Sequence, residues 1–183
     1  MNSSSGAQRA GARRAKGGGR GVCAQRGWES ELAETAESLG VRTEWVERQG
    51  ATSAVVRVSV SYTIEEDSVR QALPDGNYIE AHISIAQPRI DSVTAYSQVD
   101  EIAREFRNVI DRIRDALSPR AEVHLFYAGP VSLGVSLGRQ VSHNIHNSTL
   151  VYNYQRQALP PYAWAILVNN AEPTVRFVGG QHV

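Results

Sequence analysis

The chain has 183 residues with 19 Lys and Arg against 19 Asp and Glu, so its formal charge is zero and its length suits one domain of ordinary size. That balance is an average: residues 1–27 hold six cations and no acid, whereas residues 28–183 hold 13 cations and 19 acids, a +6 segment ahead of a −6 domain. The longest apolar run, Ala163–Val168, falls far short of the roughly 18 residues of a membrane-spanning helix, and one cysteine, Cys23, supports neither an internal disulfide nor a thiolate zinc site, which fits a reducing cytoplasm.

Residues 1–27 combine Ser3, Ser4 and Ser5 with seven glycines and the six cations and have no hydrophobic periodicity, so they read as a disordered basic tail. Gly17, Gly18, Gly19 and Gly21 spoil the amphipathic helix of a transit peptide, and one GGGRG is not the repeat of a nucleic-acid-binding tail. A linker remnant or a misplaced start codon is the default. From Trp28 the pattern is that of a folded domain, taken as 28–183. Ser30–Leu39 places Leu32, Ala36 and Leu39 on one helical face and is closed by Gly40. Strands are expected over Thr43–Glu47 and over Ala54–Ser61, where AVVRVSVS is rich in β-branched residues. A short helix, Ile64–Leu73, carries Glu65, Glu66 and Asp67 at its positive end and stops at the Pro74-Asp75-Gly76 turn. Asn77–Ile85 alternates through Ile79, Ala81, Ile83 and Ile85 as a strand does.

Val99–Leu117 keeps an apolar stripe for about five turns and ends before Pro119. Val123–Tyr127 is a short strand, Pro130 opens a helix to about Val141, and Leu150–Tyr154 and Tyr162–Val168 are further strands, with the residues from Asn169 peripheral. Strands alternating with helices imply βαβ crossovers and a Rossmann-like α/β layered sheet.

Gly134-Val135-Ser136-Leu137-Gly138 matches the GxSxG nucleophile elbow, but its serine falls inside a helix, and the carboxylate and histidine that follow are Glu172 and His182 near the C-terminus. The same residues repeat as VSLG-VSLG, which puts Gly134 with Gly138 on a nearly side-chain-free face, fit for packing on a sheet. Ahead of them, the strand-to-helix turn Phe126-Tyr127-Ala128-Gly129-Pro130 offers unpaired N–H groups and a helix dipole to a phosphate. Tyr127, Tyr152 and Tyr154 lie where an aromatic ring stacks on a base, with core packing as the alternative. His143-x-x-His146 lacks an adjacent carboxylate or thiolate and reads as loop chemistry, not a metal site. His82 and His124 read as structural, and with no GxxxxGK[ST] present no cofactor is implied.

Glu122–Tyr154, EVHLFYAGPVSLGVSLGRQVSHNIHNSTLVYNY, resembles the C-terminal half of the SAVED domain in its IHLF-like strand, small-residue turn ending in proline, helix with LGR and strand ending VYNY. The order of elements from Ala54 to Val168 is similar to that family as well. The resemblance implies a CARF-related Rossmann-like fold, incomplete here as one CARF-like half, that senses rather than catalyses. Its ligand would be a cyclic di-, tri- or tetranucleotide of a bacterial antiphage system of the CBASS or type III CRISPR kind. Binding would drive self-association and switch on an effector, either a domain or a subunit on another chain, with no membrane involved.

Carried over by position, Tyr127, Ala128, Gly129, Pro130 and Ser132 would face the ligand, Gly129 giving close backbone approach and Tyr127 stacking on a base. Ser61 and Tyr62, and Gln87, would line the pocket from two other strand ends; Tyr154 is a further stacking candidate, and Arg139 and Arg156 are candidate phosphate partners. Two other readings stand beside this one: a Rossmann-like hydrolase or transferase using a nucleotide, and a non-catalytic partner-binding subunit.

Overall fold

A computed structural model describes residues 37–73, 76–172 and 174–178. The basic tail, Cys23, His182, the Pro74-Asp75 pair and most of the expected Ser30–Leu39 helix lie outside the described residues; the part of that segment described, residues 37–39, is not helical. The elements run β1 (Arg42–Val46), β2 (Ser53–Ser59), α1 (Glu66–Ala72), β3 (Tyr78–Ser84), α2 (Tyr96–Ala116), β4 (Glu122–Ala128), α3 (Val131–Gly138), β5 (Ser148–Asn153), β6 (Trp164–Leu167) and β7 (Thr174–Phe177).

The seven described strands form one sheet in the order β1-β3-β2-β4-β5-β6-β7. Its centre, β3-β2-β4-β5, is parallel, while β1 and the β6–β7 hairpin run antiparallel at the two edges. A parallel block buried on both faces needs continuous apolar strands. β2 meets this with Ala54, Val55 and Val56 at 0% exposure, which is why AVVRVSVS reads as a central strand. The alternation of β3 divides it between two layers. Ile79, Ala81 and Ile83 pack with Ile102, Phe106, Ile110 and Ile113 of α2 and with Leu133 and Leu137 of α3. Tyr78 faces the opposite layer, where Val69 and Ala72 of α1 pack with Val55, Phe126 and Tyr162. The half-exposed strand that alternation suggests is therefore buried on both sides, and even its Glu80 is 5% exposed.

From β2 the chain passes through α1 to β3 on one side; from β3 it passes through α2 to β4 on the other side of β2. Right-handed crossovers in opposite directions place their helices on opposite faces, as α1 and α2 are. The direction of winding therefore reverses between β2 and β4, the crevice in which open α/β sheets bind ligands.

Three expectations are corrected. Pro130 is the N-cap of α3, with φ −70° and ψ 147°, so the first helical residue is Val131, and the α-helix ends at Gly138 rather than near Val141. The glycine face meets the sheet only at Gly134, which lies against the Tyr127 ring of β4; nothing lies within 4 Å of the place of a Gly138 side chain, and the buried residues of α3 are Leu133 and Leu137. The segment after Asn169 is not merely peripheral, because Thr174–Phe177 adds a seventh strand through its ladder to β6.

Candidate functional site

β2 and β4 end side by side at the switch point. The Ala128 carbonyl accepts the N–H groups of both Val60 at 2.9 Å and Ser61 at 2.8 Å, which pins the loop after β2 to the turn that opens α3. Arg89 donates its N–H to the Val60 carbonyl at 3.1 Å and brings in the loop after β3. Ser61, Ala128, Gly129, Pro130 and Ser132 thus share one edge, with exposed Gln87 in the adjoining loop. The Gln87 carbonyl accepts from Ser92 Oγ at 3.0 Å, and the residue lines a polar cleft of about 520 Å3 with Arg89, Ser92 and Gln98.

Among the described residues no side chain caps α3, and its first turn contains no acid. Its first N–H groups have no partner inside the helix and carry the positive end of the dipole. Ser132, in that first turn, is exposed.

The tyrosines separate. Tyr152 belongs to the core: its ring stacks on Phe126 with centroids 4.4 Å apart, and its hydroxyl meets His124 Nδ1 at 3.0 Å. Tyr154, just past β5, is 58% exposed and tilts against Tyr162, leaving ring surface for a base. Tyr127 does not stand free to stack. It is half-buried, and its hydroxyl donates to the Pro130 carbonyl at 2.6 Å. The space that a Gly129 side chain would occupy is filled by the Tyr127 ring, so the room for close approach expected at Gly129 is already taken.

Arg156 is exposed in the loop after β5, in a shallow hollow with Gln155, Gln157 and Ala158. Arg139 follows the last residue of α3, about 12 Å of helical rise from its N-terminus, and is not brought to the turn. A cation that sequence reading passed over lies within β2 itself. Arg57 Nε is 2.6 Å from Glu80 Oε1, and its Nη1 donates to the Ile64 carbonyl at 2.8 Å. Beside it, Ser59 Oγ accepts the Ile64 N–H at 3.0 Å and meets His82 Nε2 at 2.9 Å. These bonds anchor the loop that carries Ser61 and Tyr62. The signal was present as a lone charge in the β-branched run AVVRVSVS.

A second cleft, of about 450 Å3, lies between α3 and the β4–β5 part of the sheet. Leu125, Tyr127, Gly134, Leu137, Val151 and Val168 are among its lining residues, with His143, Asn169 and Asn170 as its polar groups and no Lys, Arg, Asp or Glu. Ser136 lies within α3 and its hydroxyl donates to the Ser132 carbonyl at 3.2 Å, not the exposed strand-to-helix elbow a nucleophile needs. His146 accepts the Ser142 N–H at Nδ1 and donates from Nε2 to Asp111, while His143 Nδ1 donates to the Asn169 carbonyl at 2.7 Å. Among the described residues no group of three or more His, Cys, Asp or Glu is placed to hold a metal ion.

The SAVED family, the "SMODS-associated and fused to various effectors sensor domain", has a model that matches residues 19–168. The chain belongs to the SAVED family. The match extends upstream of Ala54, where the sequence resemblance began. Among solved structures, this SAVED chain is similar to the Acinetobacter baumannii Cap4 SAVED/CARF-domain receptor, solved with the cyclic trinucleotide 2'3'3'-cAAA. The TM-score is 0.52 at 18% identity, over 64% of this chain and 26% of the receptor. The likeness is one of fold, and this chain spans about a quarter of the receptor's length. No curated protein matches. Among the described residues no helix is long and apolar enough to cross a membrane.

The buried histidine of this SAVED sheet gives it a pH dependence. Burial pushes His124 down to about 4 from the ordinary 6.5, with nearby Glu122 opposing. The unfolded chain therefore binds more protons between these values. The stabilising contribution is complete above pH 6.5 and is lost as pH falls through 4, on the order of 3 kcal/mol. Burial also lowers His82, with Arg57 adding to it, which acts in the same direction. Urea midpoints at pH 7.0, 5.5 and 4.5 are expected to fall steeply in the wild type and less in His124→Gln. Equal slopes in both would remove His124 as the cause.

Proposed function

We propose that this SAVED chain is a non-enzymatic cyclic-oligonucleotide sensor of bacterial antiphage defence. Its ligand, a cyclic di-, tri- or tetranucleotide, docks at the carboxyl ends of β2 and β4, and binding promotes self-association that activates an effector domain or subunit. The observation that carries this reading is the joining of Ser61 to the Ala128-Gly129-Pro130 turn through the Ala128 carbonyl, which sets an uncapped helix N-terminus at the switch point. Membership in a family of sensor domains and the cyclic trinucleotide in the similar receptor support it.

The domain has an excess of six acids over cations, so it does not draw an anion by its overall field. Recognition falls to local donors. The N–H groups at the start of α3 take a phosphodiester, Ser61 and Gln87 supply hydrogen bonds, Tyr154 stacks on a base, and Arg156 is the cation on the neighbouring loop.

A melting panel of cyclic di-, tri- and tetranucleotides tests the reading. A ligand at about 100 times its Kd adds roughly 2.7 kcal/mol, which raises Tm by about 5–10 °C in a domain of this size. Size-exclusion chromatography with the active ligand is expected to show a larger species. A monodisperse preparation whose Tm no cyclic oligonucleotide moves would refute the sensor reading.

A further inference from the structure

The turn at the switch point is held by a side chain of its own strand. Tyr127, the register partner of Val58, points to the face covered by α2 and α3, and its ring folds back against Gly129. Its Oη donates to the Pro130 carbonyl at 2.6 Å, and that carbonyl also accepts the Gly134 N–H at 3.1 Å, the first backbone bond of α3. Both lone pairs of one peptide oxygen are therefore engaged. The ring itself lies between two glycines. A Cβ on Gly129 would stand 2.5 Å from Oη, 2.7 Å from Cζ and 2.9 Å from Cε2, closer than real side chains come, and one on Gly134 would stand 3.3 Å from Cε1. Burial raises the Tyr127 phenol far above its ordinary value, so it remains a donor at any pH at which the protein works.

We propose that Tyr127 is the positioning residue of the ligand turn, and that Gly129 is glycine to admit the Tyr127 ring. This deepens, and rests on, the reading of the turn as the ligand site. A helix that begins with serine or aspartate has its first N–H groups capped by a side chain. Here the N-cap is Pro130, which has nothing to offer them. Tyr127 holds the opposite pole of the same peptide array, fixing the Pro130 carbonyl while leaving the N–H groups of Val131 and Ser132 open and fixed in direction. Donors aimed before the ligand arrives need no ordering on binding, and affinity rises accordingly.

Two measurements separate the parts. Without ligand, Gly129→Ala is expected to lower Tm in the wild-type background and to change it little in a Tyr127→Leu background, because the ring it strikes is gone. Losses that simply add in the double variant would overturn the steric pairing. With ligand, Tyr127→Phe keeps the ring and removes one hydroxyl. Its Tm without ligand is expected to fall by about 1–6 °C, the loss of one hydrogen bond. Its Kd for 2'3'3'-cAAA, read by titration calorimetry, is expected to rise about tenfold, because the loosened turn must then be ordered on binding. An unchanged Kd would overturn the positioning role, since a role confined to stability moves Tm and not affinity. A wild-type chain that binds no cyclic oligonucleotide overturns the sensor reading and the positioning role together. The melting experiment, run without ligand, decides the Tyr127–Gly129 pairing on its own.

Discussion

Glu80→Ala is expected to lower the unfolding free energy by about 3–5 kcal/mol, a large fraction of the roughly 5–15 kcal/mol that holds a domain folded. Glu80 sits on β3 and Arg57 on the neighbouring β2, both on the side that carries α1. Their side chains are 6% and 11% exposed, and among the described residues neither Glu80 Oε1 nor Arg57 Nε has a well-aligned hydrogen-bond partner. Removing the carboxylate leaves a guanidinium in a low-dielectric layer with one carbonyl for company, that of Ile64. The penalty is that of the orphaned charge, not the net worth of the pair. Replacing both partners, as Arg57→Met with Glu80→Leu, removes both desolvation penalties and is expected to match or exceed wild-type stability. Urea unfolding followed by far-ultraviolet circular dichroism reads both variants. A Glu80→Ala loss below about 1 kcal/mol would show that water reaches the pair and that it is in effect a surface contact. If Glu80→Ala does not fold at all, the double variant still has to fold, and its failure would sink the argument.

The pair also marks where sequence reading stops. Apolar spacing was enough to place α2, because Ile102, Phe106, Val109, Ile110 and Ile113 recur at helical intervals and all of them are buried. β2 was legible for a related reason: a strand buried on both faces has to be β-branched on both. The partner of Arg57 was not legible, since it depends on the register that sets Val55 against Glu80. β7 was missed because none of its residues is buried, so it leaves no hydrophobic pattern and exists through its ladder to β6. At the site, the edge on which Tyr127, Gly129 and Ser61 lie followed from strand ends and turn chemistry. The rotamer that folds the Tyr127 ring under Gly129 did not, because alternation gives the face of a side chain and says nothing of the direction it takes from there.

Ser132→Asp is expected to move stability and binding in opposite directions. Ser132 is the second residue of α3, exposed, in a first turn that has no acid and follows an N-cap without a side-chain cap. A carboxylate there interacts favourably with the helix dipole, worth about 0.3–1 kcal/mol, so the variant melts at or above the wild-type temperature. The same carboxylate occupies the place assigned to a phosphodiester. Like charges in direct contact cost several kcal/mol, so the Kd for a cyclic oligonucleotide is expected to rise by at least about 100-fold. Such a loss of binding in a protein that has become no less stable cannot be ascribed to misfolding. Ser132→Asn, similar in size and uncharged, is the control and is expected to retain most of the affinity. Arg139→Ala, at the far end of α3, is expected to bind as the wild type does, since the turn and that residue lie at opposite ends of the helix. Unchanged binding in Ser132→Asp would sink the assignment of the α3 N-terminus as the anion site. Equal losses in Asp and Asn would transfer the role from the backbone N–H groups to the serine hydroxyl, because charge then makes no difference.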